Sequence, residues 1–343
     1  MIINPTIKNV TDRITKRSET TRSDYLEKMN GARKEGPKRA HLTCGNQAHA
    51  YAPVPEDQKR LIDEAGGNIG IINAYNDMLS AHQPFQKYPE IIKKAARLVG
   101  GTAQVAAGVP AMCDGITQGQ TGMELSLFSR DAIAMSAAIG LSHNVFDTTV
   151  YLGVCDKIVP GMIISAATFG HLPAVFLPAG PMTTGQSNDE KAKIRQDFAE
   201  GKANRSDLMA SEMSSYHGPG TCTFYGTANT NQMLMEFMGL HLPGSSFVNP
   251  NTPLRDALTD FGAKHALSIS DLNSNYIPVS KILDEKAYVN GIVGLMATGG
   301  STNLLIHLIA MARASGIIID SVSYTHLRAH ETGRNLVCRL LLE

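Results

Sequence analysis

Three short stretches carry residue types that could do chemistry together. The first is Cys155-Asp156-Lys157, closed by Pro160-Gly161. The hydropathy pattern puts it between a strand and a helix, where the helix N-terminus and the Lys157 ammonium favour a thiolate at Cys155. A carboxylate beside that thiol can hold a hard cation, which takes oxygen ligands. The pair therefore suits two different metals. The plainer alternative is that Asp156 caps the helix and Lys157 is solvated. The second stretch is Ala111-Met112-Cys113-Asp114-Gly115, with Gln118-Gly119-Gln120 behind it. Asp114 is a candidate second oxygen ligand to the same cation, or one half of an ordinary Asp-Gly turn. The third is Gly220-Thr221-Cys222-Thr223, a polar loop that is an odd place for a packing cysteine. A further loop, Thr298-Gly299-Gly300-Ser301-Thr302-Asn303, opens an apolar helix. It reads equally as an anion site on backbone N–H groups and as a plain cap.

The elements that must position these loops follow from periodicity. Short apolar runs at Ile69–Ala74, Ala103–Ala107, Thr148–Val154 and Ala174–Leu177 predict buried strands. Between them, Tyr88–Val99, Gly122–Leu141 and Gly161–Phe169 predict helices, the second buried on most sides because its charges are few. Strand and helix alternating at this spacing imply right-handed βαβ crossovers and an α/β fold: a mostly parallel sheet with helices on both faces, in three layers. Ligands in such folds gather at the carboxyl ends of the strands. That directs attention to Asn76–Pro84, Gly108–Gln120 and Cys155–Gly161. Residues 1–67 read as a helical and loop extension packed on the core, and 68–320 as the α/β domain. Ser187–Ser215 reads as an exposed helical insertion, Thr227–Leu240 and Leu304–Ala314 as helices, and Lys281–Val293 as a mixed segment.

Composition excludes some classes of partner. Lys+Arg and Asp+Glu each number 31 in 343 residues, so there is no net charge to attract nucleic acid. No apolar run reaches the roughly 18 residues of a membrane span. Met1–Asn30 lacks the apolar core of a signal peptide, which makes the cytoplasm the expected compartment. The five cysteines, Cys44, Cys113, Cys155, Cys222 and Cys338, show no CxxC and no zinc-finger spacing, and a reducing compartment keeps them free.

Taken in order, the motifs resemble one family. CDKIVPG at Cys155–Gly161 is similar to the signature of the dihydroxyacid, phosphogluconate and aldonate dehydratases. Asp114-Gly115 followed by QGQTGMELSLFSR, GTCTFYGTANTNQM at Gly220–Met233, LPGSS at Leu242–Ser246 and ATGGSTN at Ala297–Asn303 fall in the family's order, over roughly Thr11 to Asp320. YNDMLSAHQPF (Tyr75–Phe85), SYHGPGTCTFYGTANTNQ and LSHNVFD look like the branch that dehydrates 6-phospho-D-gluconate to 2-dehydro-3-deoxy-6-phosphogluconate, in the Entner–Doudoroff route. The alternatives are a relative acting on another sugar acid or dihydroxy acid, and a non-catalytic module that binds a cluster or dimerises.

The resemblance implies that Cys155 and Cys222 bind an iron–sulfur cluster, of the 4Fe-4S type in preference to 2Fe-2S. It implies that Asp114 and Asp156 hold Mg2+, and that Lys157 matches a lysine carbamylated in some relatives, where it becomes a further magnesium ligand. Dihydroxyacid dehydratases have another ligating cysteine near the position of Ala81, so the third cluster ligand is open between Cys113 and Cys44. Substrate-contact candidates are Asn76, Asp77, His82, Ser245, Ser301 and Thr302, with a loop-bracing role as the alternative for His82. The implied substrate is a phosphorylated sugar acid and the implied assembly a homodimer. The resemblance further implies a second, β-rich domain after Asp320, carrying the base that takes the C2 proton. The stretch 321–343 reads instead as a non-native tail, and the chain as given is expected to bind cofactors without turnover.

Overall fold

The computed structural model describes residues 4–34, 36–63, 66–223, 225–320 and 323. The proposed tail at 321–343, Cys338 included, lies outside the described residues apart from Ser323.

The first helix, α1 (Pro5–Arg33), starts at Asn4, whose side chain accepts the Thr6 N–H at 2.9 Å. It buries Val10, Ile14, Ser18 and Arg22, a four-residue repeat that makes one buried face, apolar at its start and hydrogen-bonded at its end. Arg22 anchors that face by donating to the Ser315 and Ser280 carbonyls at 2.6 and 2.8 Å. Short helices α2 (Cys44–Tyr51) and α3 (Gln58–Asp63) lead to the sheet. The alternating region is β1 (Asn68–Asn73), α4 (Tyr88–Leu98), β2 (Thr102–Gly108), α5 (Asp114–Thr117), α6 (Ser129–Leu141), β3 (Thr148–Leu152), α7 (Ile158–Thr168) and β4 (Ala174–Phe176). After it come α8 (Asn188–Ala199), α9 (Arg205–Ser215), α10 (Thr227–Phe237), α11 (Pro253–Ser268), α12 (Val279–Ile282), α13 (Glu285–Thr298) and α14 (Asn303–Ala314).

The sheet runs β2-β1-β3-β4 with every pairing parallel. Alternation along the strands feeds two cores. Ile69 and Ile71 of β1 and Val150 of β3 pack with Ile92 of α4 and Ala263 of α11. Ile72 and Tyr151 point the other way, to Ile133 and Ala137 of α6 and Ile163 of α7. Both faces are thus covered, giving the expected three-layer α/β architecture. The strand order reverses at β1, since β2 lies on one side of it and β3 and β4 on the other. At such a reversal the loops after β1 and β3 leave in opposite directions and open a crevice at their carboxyl ends.

Two expectations need correction. The segment Gly122–Leu141 is not one buried helix: a 3-10 turn covers Thr121–Leu125 and α6 begins at Ser129. Leu125, Leu127, Phe128, Met135 and Ile139 are exposed. An all-round apolar pattern reads as burial only when something covers each face, and this outer face has no cover within the described residues. The segment Lys281–Val293 is mostly helical: α12 ends at Ile282, and α13 starts at Glu285 because Asp284 caps it, accepting the Ala287 N–H at 2.8 Å.

Candidate functional site

The crevice at the strand ends is a cavity of about 620 Å³. Cys113, Cys155 and Cys222 line it, together with Asp114 and Asp156. The chain reaches Cys155 directly from β3, and Cys155 adopts φ 76°, in the left-handed region. An L-residue there costs roughly 1–2 kcal/mol, a strain that tends to persist where a site requires a particular aim. The turn is braced from below by His82, fully buried, whose Nε2 lies 3.2 Å from the Val154 carbonyl. Burial pushes the His82 imidazole down to about 4, although the Val154 bond opposes this. The ring is therefore neutral, and Nε2–H donates to the carbonyl.

A charged cluster fills one wall. Lys157 is buried, and its Nζ donates to Asp114 and to Asp156, the latter at 2.5 Å. Ser126 donates to the other Asp114 oxygen at 2.5 Å. Burial alone would raise the Asp114 carboxyl, but the Lys157 and Ser126 hydrogen bonds outweigh it and hold the group below its ordinary range. Asp156 is more deeply buried, and there desolvation wins, so its carboxyl rises. Burial opposes the Lys157 charge too, yet its two carboxylate bonds raise it. One firm carboxylate and one ammonium stand beside a second carboxyl that shares the same partner.

Burial works against the thiolate expected at Cys155. Its thiol is pushed well above the ordinary value, first by burial and then by the neighbouring Asp156 carboxylate. The Lys157 ammonium that was to lower it is committed to the two carboxylates. Cys222 is raised as well, by burial and by Cys113. Such thiols stay protonated until a metal displaces the proton.

The Cys222 loop is held by a polar network. Gly220, at φ 128°, donates its N–H to the Ser80 carbonyl at 2.8 Å, and a Cβ there would meet the Met182 backbone at 2.3 Å. Asn229 on α10 donates to the Cys222 carbonyl at 2.7 Å and accepts from Thr221 Oγ1 at 2.9 Å. Gln232 donates to both Thr221 Oγ1 and Asn229 Oδ1, at 3.2 and 2.9 Å. Asn231, one residue away, reaches the Asp156 carbonyl at 3.4 Å. Helix α10 thereby ties the Cys222 loop to the Cys155 loop.

The predicted residues separate cleanly. Ser301 and Thr302 line the cavity where α14 begins, beside Gly226 and Thr227 where α10 begins, and Thr227 and Ser301 share a hydrogen bond of 2.6 Å. Asn76 and Asp77 form a turn away from the cavity walls, Asn76 accepting the Met78 N–H at 2.9 Å and Asp77 the Tyr75 hydroxyl. Ser245 is buried in the LPGSS turn, its carbonyl taken by Arg255 at 2.5 Å, and it does not reach the cavity either. Cys44 is exposed, at the start of α2. Ser126, Asn229, Asn231 and Gln232 escaped sequence reasoning. All four lie inside the motif runs quoted above, which was the available signal. Among the described residues no three His, Cys, Asp or Glu side chains converge as a ready site for a single ion. Thiols spread around a cavity suit a cluster of several irons, which needs its ligands apart, and in that respect the donor set fits.

The fold is a parallel α/β domain with a Cys-Asp pair beyond the ends of β2 and β3, the two strands that flank β1. The chain belongs to the dihydroxy-acid/6-phosphogluconate dehydratase N-terminal family, whose model matches residues 67–332, running past Asp320. It is 63% identical over 314 residues to a phosphogluconate dehydratase of Rhizobium meliloti, covering 91% of this chain and 52% of the relative. The phosphogluconate dehydratase of Escherichia coli K12 is 58% identical over 326 residues, 95% of this chain and 54% of that protein. A dihydroxy-acid dehydratase of Caldicellulosiruptor bescii is 35% identical over 266 residues, 74% of this chain and 47% of that one. The chain thus spans about half the length of the curated relatives it matches. Among the described residues no helix is long and apolar enough to cross a membrane.

Proposed function

We propose that this chain carries the cofactor-holding half of a 6-phosphogluconate dehydratase site, for loss of water from 6-phospho-D-gluconate to give 2-dehydro-3-deoxy-6-phosphogluconate. The observation that carries the reading is the meeting of two donor chemistries on one cavity. Cys155 and Cys222 offer soft sulfur for an iron–sulfur cluster, 4Fe-4S in preference to 2Fe-2S, while Asp114 and Asp156 offer hard oxygen for Mg2+. When bound, the two cofactors supply Lewis acidity to a leaving C3 hydroxyl and to the substrate carboxylate.

The chain's own groups prepare that chemistry. Asp114 is held ionised by Lys157 and Ser126, a ready oxygen donor. Lys157 in its ammonium form sits between the two carboxylates, so a cation bound by both must displace that charge. Carbamylation of Nζ would exchange the ammonium for a third carboxylate at the same place. The starts of α10 and α14, with Thr227, Ser301 and Thr302, face the cavity and favour an anionic substrate. No described residue is assigned as the base for the C2 proton. The cytoplasm suits thiols that must stay reduced, and the exposed apolar side chains of α6 offer the expected homodimer a surface to close.

Phosphogluconate is favoured over a dihydroxy acid because the relatives named for it are 52–63% identical, against 35% for the dihydroxy-acid enzyme. The test is to join residues 1–320 to the C-terminal half of the E. coli relative, reconstitute anaerobically, and follow 2-keto acid formation. The expected result is turnover of 6-phosphogluconate. Turnover of a 2,3-dihydroxy acid with none of 6-phosphogluconate would reject the assignment.

A further inference from the structure

We propose that Cys113 is the third protein ligand of the cluster, an inference that rests on the cluster reading above. Two Cys-Asp pairs stand in matching places: Cys113-Asp114 beyond the end of β2, and Cys155-Asp156 beyond the end of β3. Those strands flank β1 in the sheet, so the two loops face one another across the crevice. In each pair the aspartate meets Lys157, and both cysteines line the same cavity as Cys222. Each loop therefore offers one thiol toward the cluster and one carboxylate toward the cation.

Other donors fall away on position. Cys44 is exposed at the start of α2 and forms no part of the cavity wall. Ala81 is buried and has no donor atom. The two aspartates are hard oxygen donors already given to the cation, and Ser301 is paired with Thr227. Cys113 remains, the one other thiol among the described residues on the cavity wall that Cys155 and Cys222 share. Thiolate is also the donor that such clusters take in preference to oxygen.

The experiment uses the full chain as wild type, Cys113→Ala, Cys113→Ser and Cys44→Ala. Each is reconstituted anaerobically with ferrous iron and sulfide and desalted. Iron, sulfide and visible absorbance per chain are then measured, with circular dichroism of the metal-free form as the folding control. Wild type and Cys44→Ala are expected to keep the cluster, and both Cys113 variants to retain about tenfold less iron, in the range by which lost support weakens metal sites. Cys113→Ser keeps the size of the side chain and carries the comparison if Cys113→Ala melts early. Wild-type iron and sulfide in a folded Cys113 variant would overturn the third ligand alone. A wild-type chain that takes up no cluster would overturn the cluster reading with it.

Discussion

The left-handed Cys155 makes a prediction whose sign can be tested independently of the thiol. Replacing Cys155 by alanine or by glycine removes the sulfur in both cases, so cluster loss cancels between the two variants. What differs is the backbone. Alanine retains the strain of φ 76°, roughly 1–2 kcal/mol, whereas glycine is free of it. Glycine gives back part of that advantage through its greater freedom in the unfolded chain, about 0.4–1 kcal/mol. The net expectation is that Cys155→Gly is more stable than Cys155→Ala by about 1 kcal/mol, near 2 °C in melting temperature for a domain of this size. Cys113 supplies the control, because its backbone is extended, with φ −111° and ψ 113°. There the order reverses, and Cys113→Gly should be less stable than Cys113→Ala by about 0.4–1 kcal/mol. The assay is urea unfolding of all four variants in reduced, chelator-treated form, followed by circular dichroism. If Cys155→Ala matches or exceeds Cys155→Gly, the β3–α7 turn is not held left-handed and the argument for an imposed aim at Cys155 fails.

Further outcomes follow from the buried groups. His82 is pushed down to about 4 and His241 to about 3, in both cases chiefly by burial, so the unfolded chain binds protons below about pH 6.5 that the folded chain refuses. Their contribution is complete above that pH and lost as pH falls toward 4 for His82 and toward 3 for His241, about 3 and about 5 kcal/mol respectively. Urea unfolding between pH 7 and 5 should show this slope, reduced in His241→Asn; a flat profile in the wild type would contradict it. Asp147→Asn strips the charge partner from Arg39, whose Nε lies 2.7 Å from Asp147 with both side chains 1% exposed, and should cost about 3–5 kcal/mol in unfolding free energy. Gly161→Ala would place a Cβ 2.7 Å from the Arg130 carbonyl oxygen, pushing α7 off α6. It should lower stability by about 1–3 kcal/mol and weaken cluster retention, read by melting and by iron content.

The strands, their parallel sense and the places where Cys155 and Asp114 fall were legible in the residues, while the order of the strands came from the fold. Apolar runs and their spacing are local signals, and a parallel α/β chain has to deliver its loops to one end of the sheet. The same logic made Cys113-Asp114 and Cys155-Asp156 candidates before any contact was known. The outward face of α6 was not legible, since Phe128, Met135 and Ile139 carry the hydropathy of core residues whatever does or does not cover them. Nor was the fate of the Lys157 charge. Sequence adjacency pointed it at Cys155, but the fold brings Asp114 to it from another loop, and two carboxylates outcompete one thiol for an ammonium. Asn229, Asn231 and Gln232 read as one helical run, and only their packing shows that two of them hold the Cys222 loop while the third reaches Asp156. The sequence by itself determined the layered fold and the donor types on its loops, because propensity and patterning act over a few residues. The tertiary structure decided which thiols share a cavity, which charges neutralise one another and which backbone is strained, because burial and Coulomb forces act between atoms that the chain order keeps far apart.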